Sequence, residues 1–272
     1  MDSGIKRIVT AVIGIPVVIV PMYFGGLWFT VFIAIVVFAG QFELYRLEAK
    51  LSRAPAVVLG LAGGLAVVFR NYSDLVVPMI LGILVLLFLD SVRRAPDNNP
   101  MGRIGGTILG LVYPALFLSF LPQIRDGLEI SFGALDAFGV TLMLFVLIWI
   151  CDSAAYYTGR AFGRTPLAPS ISPKKTREGF AGGVVGALAG AIGAKYLLFP
   201  FLTVFDVLAL GLIAGIVGQM GDLVESAMKR SASVKDSGSL LPGHGGVLDR
   251  FDSLIVATPV YYLYLITFTP YL

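Results

Sequence analysis

Acids and cations are scarce in this sequence, and their placement suggests chemistry. Asp152 closes an apolar stretch within Trp149-Ile-Cys-Asp-Ser-Ala-Ala-Tyr156. Asp222 and Glu225 close another, three residues apart and so on one helical face. Asp249 and Asp252, again three apart, open the last apolar stretch. Two connections, 158–178 and 225–252, combine cations with hydroxyls and glycines. Cations neutralise anionic oxygens, and glycines let backbone N–H groups approach closely, so such segments suit a polyphosphate. Basic loops are also the ordinary property of the cytoplasmic face of a membrane protein, and composition leaves both explanations open.

The acids fit a hard cation. Mg²⁺ takes oxygen ligands, typically one or two carboxylates plus substrate phosphates, and keeps several waters. Asp152 and Asp222 are expected at helix C-termini, whose partial negative charge favours a metal. Asp249, the 172–178 segment and the glycine-rich loop are expected near N-termini, whose positive end favours phosphate. Ion pairing at helix ends, for example of Arg250 with a neighbouring acid, explains the same residues without a ligand. His244 is the single histidine, held in Pro242-Gly-His-Gly-Gly246. It can donate to phosphate, ligate a metal, exchange a proton or cap a turn, and spacing does not choose among these roles.

The elements that must position these residues follow from composition. Of 272 residues, 57% are hydrophobic and 14% charged, whereas a soluble domain carries about a quarter charged residues. That excludes a disordered chain, a collagen-like fibre and a disulfide scaffold, the last also because Cys151 stands alone. An all-α, polytopic integral membrane protein is expected. Nine apolar stretches lie at about 8–24, 27–47, 55–70, 74–91, 105–124, 134–157, 179–200, 204–224 and 253–270, read as bilayer crossings of which the third and fourth are short. The first follows Lys6 and Arg7 without a small-residue cleavage site, so it is expected to be a retained span.

With nine spans, 17 of the 20 Lys and Arg residues fall at the N-terminus and on alternate loops. Positive residues accumulate on the cytoplasmic side, which places the N-terminus inside, the C-terminus outside, and both basic connections on the cytoplasmic face. Residues 1–130 then form a lipid-facing helical scaffold and 131–272 the region that carries the chemistry. The small-residue run from Gly182 to Gly193 has the character of a close-packing helix surface.

The run Ser226-Ala-Met228-Lys229-Arg230, then Lys235-Asp236-Ser-Gly238, then Leu241-Pro242-Gly-His244-Gly245-Gly246-Val-Leu-Asp249-Arg250-Phe-Asp252 resembles the signature of the phosphatidate cytidylyltransferases, the CDP-diacylglycerol synthases. Asp152-Ser-Ala-Ala155-Tyr156, Gly159-Arg160, Phe162-Gly163 and Ser172-Pro173-Lys174-Lys175-Thr176 resemble the same family's second block. The resemblance implies that CTP and phosphatidic acid give CDP-diacylglycerol and pyrophosphate, with Mg²⁺ required and room for a second cation. It implies metal ligation by Asp152, Asp222 and Asp249. Lys174, Lys175, Lys229, Arg230 and Lys235 would hold the triphosphate or the lipid phosphate. Ser172, Thr176, Ser226, His244, Gly245 and Gly246 would contact phosphate oxygens, and Asp236, Arg250 and Asp252 would act on the substrates directly or through these groups. The site would face the cytoplasm, at the inner membrane in a bacterium. The resemblance and the 182–193 face together raise a homodimer as an expectation.

Three other functions compete. An ion-coupled transporter would place acids near the membrane midplane between related halves, whereas here they gather at one face and no internal repeat is visible. A CDP-alcohol phosphotransferase would carry a D-G-x₂-A-R…G-x₃-D-x₃-D run, which is missing. A CTP-dependent polyprenol kinase would use similar groups but transfer the γ-phosphate and release CDP. Nucleic-acid binding has no support, because topology accounts for the basic residues.

Overall fold

The computed structural model describes residues 3–51, 54–94, 99–240 and 245–272; Arg53 and His244 fall outside them. Among the described residues, helical segments overlap the apolar stretches: α1 Ser3–Phe24, α2 Gly26–Lys50, α3 Val57–Val68, α4 Val76–Arg93, α5 Pro100–Phe132, α6 Ala134–Phe162, α7 Arg177–Leu197, α8 Val204–Ser231 and α9 Leu248–Phe268. Among the described residues, seven of them are long and apolar enough to cross a membrane; α3 and the apolar part of α1, Gly14–Phe24, are shorter. Helices suit this composition because each satisfies its own backbone hydrogen bonds without water. α4 shows the solvent the fold requires: among its 18 residues only Leu87 and Ser91 are buried, and an apolar surface of that kind is stable only against lipid.

Local sequence sets the helix ends. Asn99 caps α5 by accepting from the Gly102 N–H, with Pro100 following it. Thr176 caps α7 through the Gly179 N–H, and Thr203 with Asp206 forms a reciprocal capping box at the start of α8. Wide π-turns interrupt α5 at Leu111–Leu116, around Pro114, and α8 at Ile213–Gly218.

The chain divides into two compact units. One comprises residues 1–122 and 228–251, the other 123–227 and 252–272. Residues 228–251, which carry most of the signature, therefore pack with the N-terminal helices. In that unit α2 buries Phe29, Ile33, Val37 and Leu44, while polar groups tie helices together. Gln41 Nε2 donates to the carbonyls of Gly60 and Gly110 at 3.1 and 3.0 Å, and Tyr45 donates to the Thr107 carbonyl at 3.1 Å. Arg103 bridges Asp90, at 2.5 Å, and the Ala54 carbonyl.

In the second unit the small-residue run of α7 lies against α6. A Cβ on Gly182, Gly186 or Gly190 would meet Thr158, Ala154 or Ile150 respectively. At these three positions that face is thus occupied within the chain. A short antiparallel hairpin, β1 Pro166–Ala168 and β2 Ser172–Thr176, was not anticipated within the 158–178 connection. Glu178 anchors it by accepting from the N–H groups of Arg164 and Thr165.

One expectation is corrected. α6 continues ten residues past Asp152 and α8 nine past Asp222. Neither acid stands at a helix C-terminus, and the end-charge attraction for a metal, which fades within one turn, does not reach them. In α8 the apolar stretch ends close to Asp222, but Glu, Ala, Met, Lys and Arg continue the helix because their helical propensity is high.

Candidate functional site

In the second unit, Lys175 at the penultimate position of β2 reaches α8. Its Nζ lies 2.5 Å from Asp222 Oδ2, and both side chains keep about 30% of their surface exposed (31% and 29%). Ser226, one turn further along α8, donates to Asp222 Oδ1 at 3.3 Å. Ser172 is half-buried at the start of the same strand, Lys174 is exposed, and the Thr176 hydroxyl oxygen serves as the α7 cap. Asp152 is exposed on α6, Asp252 is half-buried on α9, and Glu225 is fully buried on α8.

In the first unit, the acid at the start of α9 is enclosed by donors. Asp249 Oδ1 takes Lys229 Nζ at 2.6 Å. Its Oδ2 accepts from the Gly246 N–H at 2.8 Å and from both the N–H and the hydroxyl of Ser237 at 3.0 Å. This carboxylate and its lysine keep only 6% and 10% exposure. Gly245 adopts φ +82, a left-handed conformation that glycine takes without strain, and this turns the chain so that the Gly246 N–H faces Asp249. Arg230 donates to the Val234 carbonyl at 2.7 Å; Lys235, Asp236 and Arg250 are exposed. His244 falls outside the described residues.

Two residues that spacing did not single out complete this cluster. Ser237 lies inside the signature, and Glu43 lies far away on α2. Glu43 Oε1 accepts from the Val247 N–H at 3.0 Å, and Oε2 from the Leu248 N–H and the Ser237 hydroxyl, both at 2.9 Å. A signal existed: Glu43 is an acid inside an apolar span, and such an acid needs a partner.

The donor sets suit anions and hard cations together. In each unit a carboxylate faces a lysine ammonium, so either partner has an opposite charge in reach when a phosphate or a metal ion arrives. Among the described residues no group of three or more His, Cys, Asp or Glu side chains is placed to hold a metal ion. One or two carboxylates nevertheless match the usual protein share of an Mg²⁺ shell completed by phosphates and water.

A family model described as "Cytidylyltransferase family" matches residues 5–268. The phosphatidate cytidylyltransferase of Synechocystis is 36% identical, with 98% of each chain covered. That of Bacillus subtilis is 35% identical over 97% of this chain and 98% of its own. The Thermotoga maritima enzyme is 34% identical over 97% and 96%.

Proposed function

We propose that this chain, which belongs to the cytidylyltransferase family, is an integral membrane enzyme that converts CTP and phosphatidate to CDP-diacylglycerol and pyrophosphate. The observation that carries this conclusion is the enclosed Lys229–Asp249 pair in 228–251, the segment that bears the signature, in a chain whose long helices are built for lipid. A phosphatidate oxygen attacks the α-phosphorus of CTP, a phosphoanhydride bond forms, the bond from that phosphorus to the bridging oxygen breaks, and pyrophosphate leaves. The lipid phosphate is already a competent nucleophile, so the protein's work is positioning and charge neutralisation.

Lys175 and Lys229 supply positive charge to the phosphates, joined by the exposed Lys174, Arg230 and Lys235. Ser172, Ser226 and the Gly245 N–H orient phosphate oxygens, whereas the Gly246 N–H is already given to Asp249 Oδ2. Asp249 in the first unit, and Asp222 with Asp152 in the second, would each offer a carboxylate to Mg²⁺, with room for a second cation. When bound, Mg²⁺ neutralises triphosphate oxygens and the charge on the departing pyrophosphate. The sorting of 17 of 20 cations onto one set of loops supports a cytoplasmic N-terminus, nine crossings and a site facing the cytoplasm, at the inner membrane of a bacterium.

Purified protein in detergent, given CTP, phosphatidate and Mg²⁺, will release pyrophosphate and form CDP-diacylglycerol. Release of CDP with phosphorylated lipid would instead identify a kinase, and no nucleotide turnover would remove the enzymatic assignment.

A further inference from the structure

The family signature is confined to the C-terminal half of the sequence, yet in the fold its central turn rests on an acid from the second helix. Glu43 is 5% exposed. A carboxylate buried in a membrane-embedded helix is costly unless its oxygens are satisfied. Here its partners are the N–H groups of Val247, just before α9, and of Leu248, the first residue of that helix, and the Ser237 hydroxyl. It thereby acts as a cap supplied from another helix, at the end of α9 whose positive partial charge favours an anion. Ser237 Oγ lies 2.9 Å from Glu43 Oε2 and 3.0 Å from Asp249 Oδ2, so one hydroxyl links the two carboxylates. The turn is shaped to fit: a Cβ on Gly246 would run into Ser237 Oγ and Glu43 Oε2, and one on Gly238 would come within 2.5 Å of Glu43 Oε1.

We propose that Glu43 is a positioning residue for the cytidylyl-transfer site: it holds Ser237, Val247 and Leu248 so that Asp249 keeps one oxygen locked by backbone donors and the other turned to Lys229 and the incoming ligand. The role rests on the function proposed above. Both Glu43 oxygens are taken up by donors of the protein itself. Glu43 acts by fixing the orientation of Asp249, as groups behind a metal or phosphate ligand do; replacing such groups costs about 10–100-fold in affinity or activity.

The test compares Glu43→Gln and Ser237→Ala with the parent chain, all full length in the same detergent. Glu43→Gln keeps the size but loses one acceptor. Its kcat will fall and its half-saturating Mg²⁺ will rise, each about tenfold, while the KM for phosphatidate stays within about twofold. Ser237→Ala removes only the linking hydroxyl and will shift the same quantities in the same direction by a smaller factor, which keeps the proposal testable should Glu43→Gln fail to fold. Hydrogen exchange without substrates will show faster exchange at Ser237 and Gly246–Leu248 in Glu43→Gln. Wild-type kcat, Mg²⁺ dependence and exchange in both variants would overturn the proposal, as would a loss traced entirely to a smaller folded fraction. A parent chain that forms no CDP-diacylglycerol would instead overturn the proposed function, and the exchange result would still report whether Glu43 holds the turn.

Discussion

The two lysine–carboxylate pairs look alike at their contact points and differ in everything around them. Lys175 and Asp222 approach to 2.5 Å and Lys229 and Asp249 to 2.6 Å. The first pair joins a strand of a surface hairpin to a helix, keeps nearly a third of its surface exposed, and has one serine beside it. The second is almost closed off, and three further donors hold its carboxylate. An exposed pair contributes little to stability, and its ammonium can exchange its carboxylate for an arriving anion. An enclosed pair is preorganised, and losing one partner strands the other without water.

Breaking the enclosed pair will have the largest effect. Asp249→Asn will still insert into the membrane, but Lys229 will face a neutral amide, at a cost of about 3–5 kcal/mol. Mg²⁺-dependent product formation will fall by about 10³-fold, the upper range for loss of a preorganised charged group. Thermal unfolding in detergent and a CDP-diacylglycerol assay check the two halves, and near-normal turnover would remove Asp249 from the site.

At the exposed pair the two effects will separate. Asp222→Asn will change stability by no more than about 1 kcal/mol, yet lower turnover by about 10²-fold. A large stability loss here would mean that the pair supports the fold rather than the substrates.

Gly186→Val tests whether the α6–α7 contact, rather than either pair, matters to turnover. Its side chain would collide with Ala154, costing about 1–3 kcal/mol as an overpacked helix contact. Turnover per folded molecule will stay at the parent level, measured by normalising activity to the fraction surviving size-exclusion chromatography.

The smallest change is expected at Asp206, at the opposite end of α8 from Asp222. It accepts from Thr203, Tyr264 and Tyr271, the last two at 2.6 and 3.0 Å. Burial, and the carboxylate that its hydroxyl serves, push the Tyr271 phenol up to about 12. Asp206→Asn will lower the unfolding free energy by about 1–2 kcal/mol through the weakened cap and leave kcat unchanged. A fall in kcat would show that this acid, too, bears on the reaction.

How much of the site was legible depended on distance along the chain. Asp249 and Lys229 lie 20 residues apart within one recognisable run. Lys175 and Asp222, 47 residues apart, are both conspicuous as charges beside apolar stretches. Which ammonium meets which acid was not legible, because several cations could have served either. Glu43 was less legible still, since its contacts reach across 194 to 205 residues. It resembles any other acid near the end of a span until the fold brings α9 to it. The ends of α6 and α8 were misjudged for a different reason: hydropathy marks where an apolar stretch stops, while helical hydrogen bonding continues through the polar residues beyond it.

Sequence alone determined the solvent, the all-helical class and the family, because hydropathy, helix formation and signature spacing are properties of neighbouring residues. The occupied glycine face of α7, the pairing of each lysine with its acid, and the inclusion of 228–251 with the N-terminal helices were decided only in three dimensions. A buried charge in lipid is stable only where donors from other segments converge on it. Those donors are brought there by packing, and no local pattern specifies which they will be.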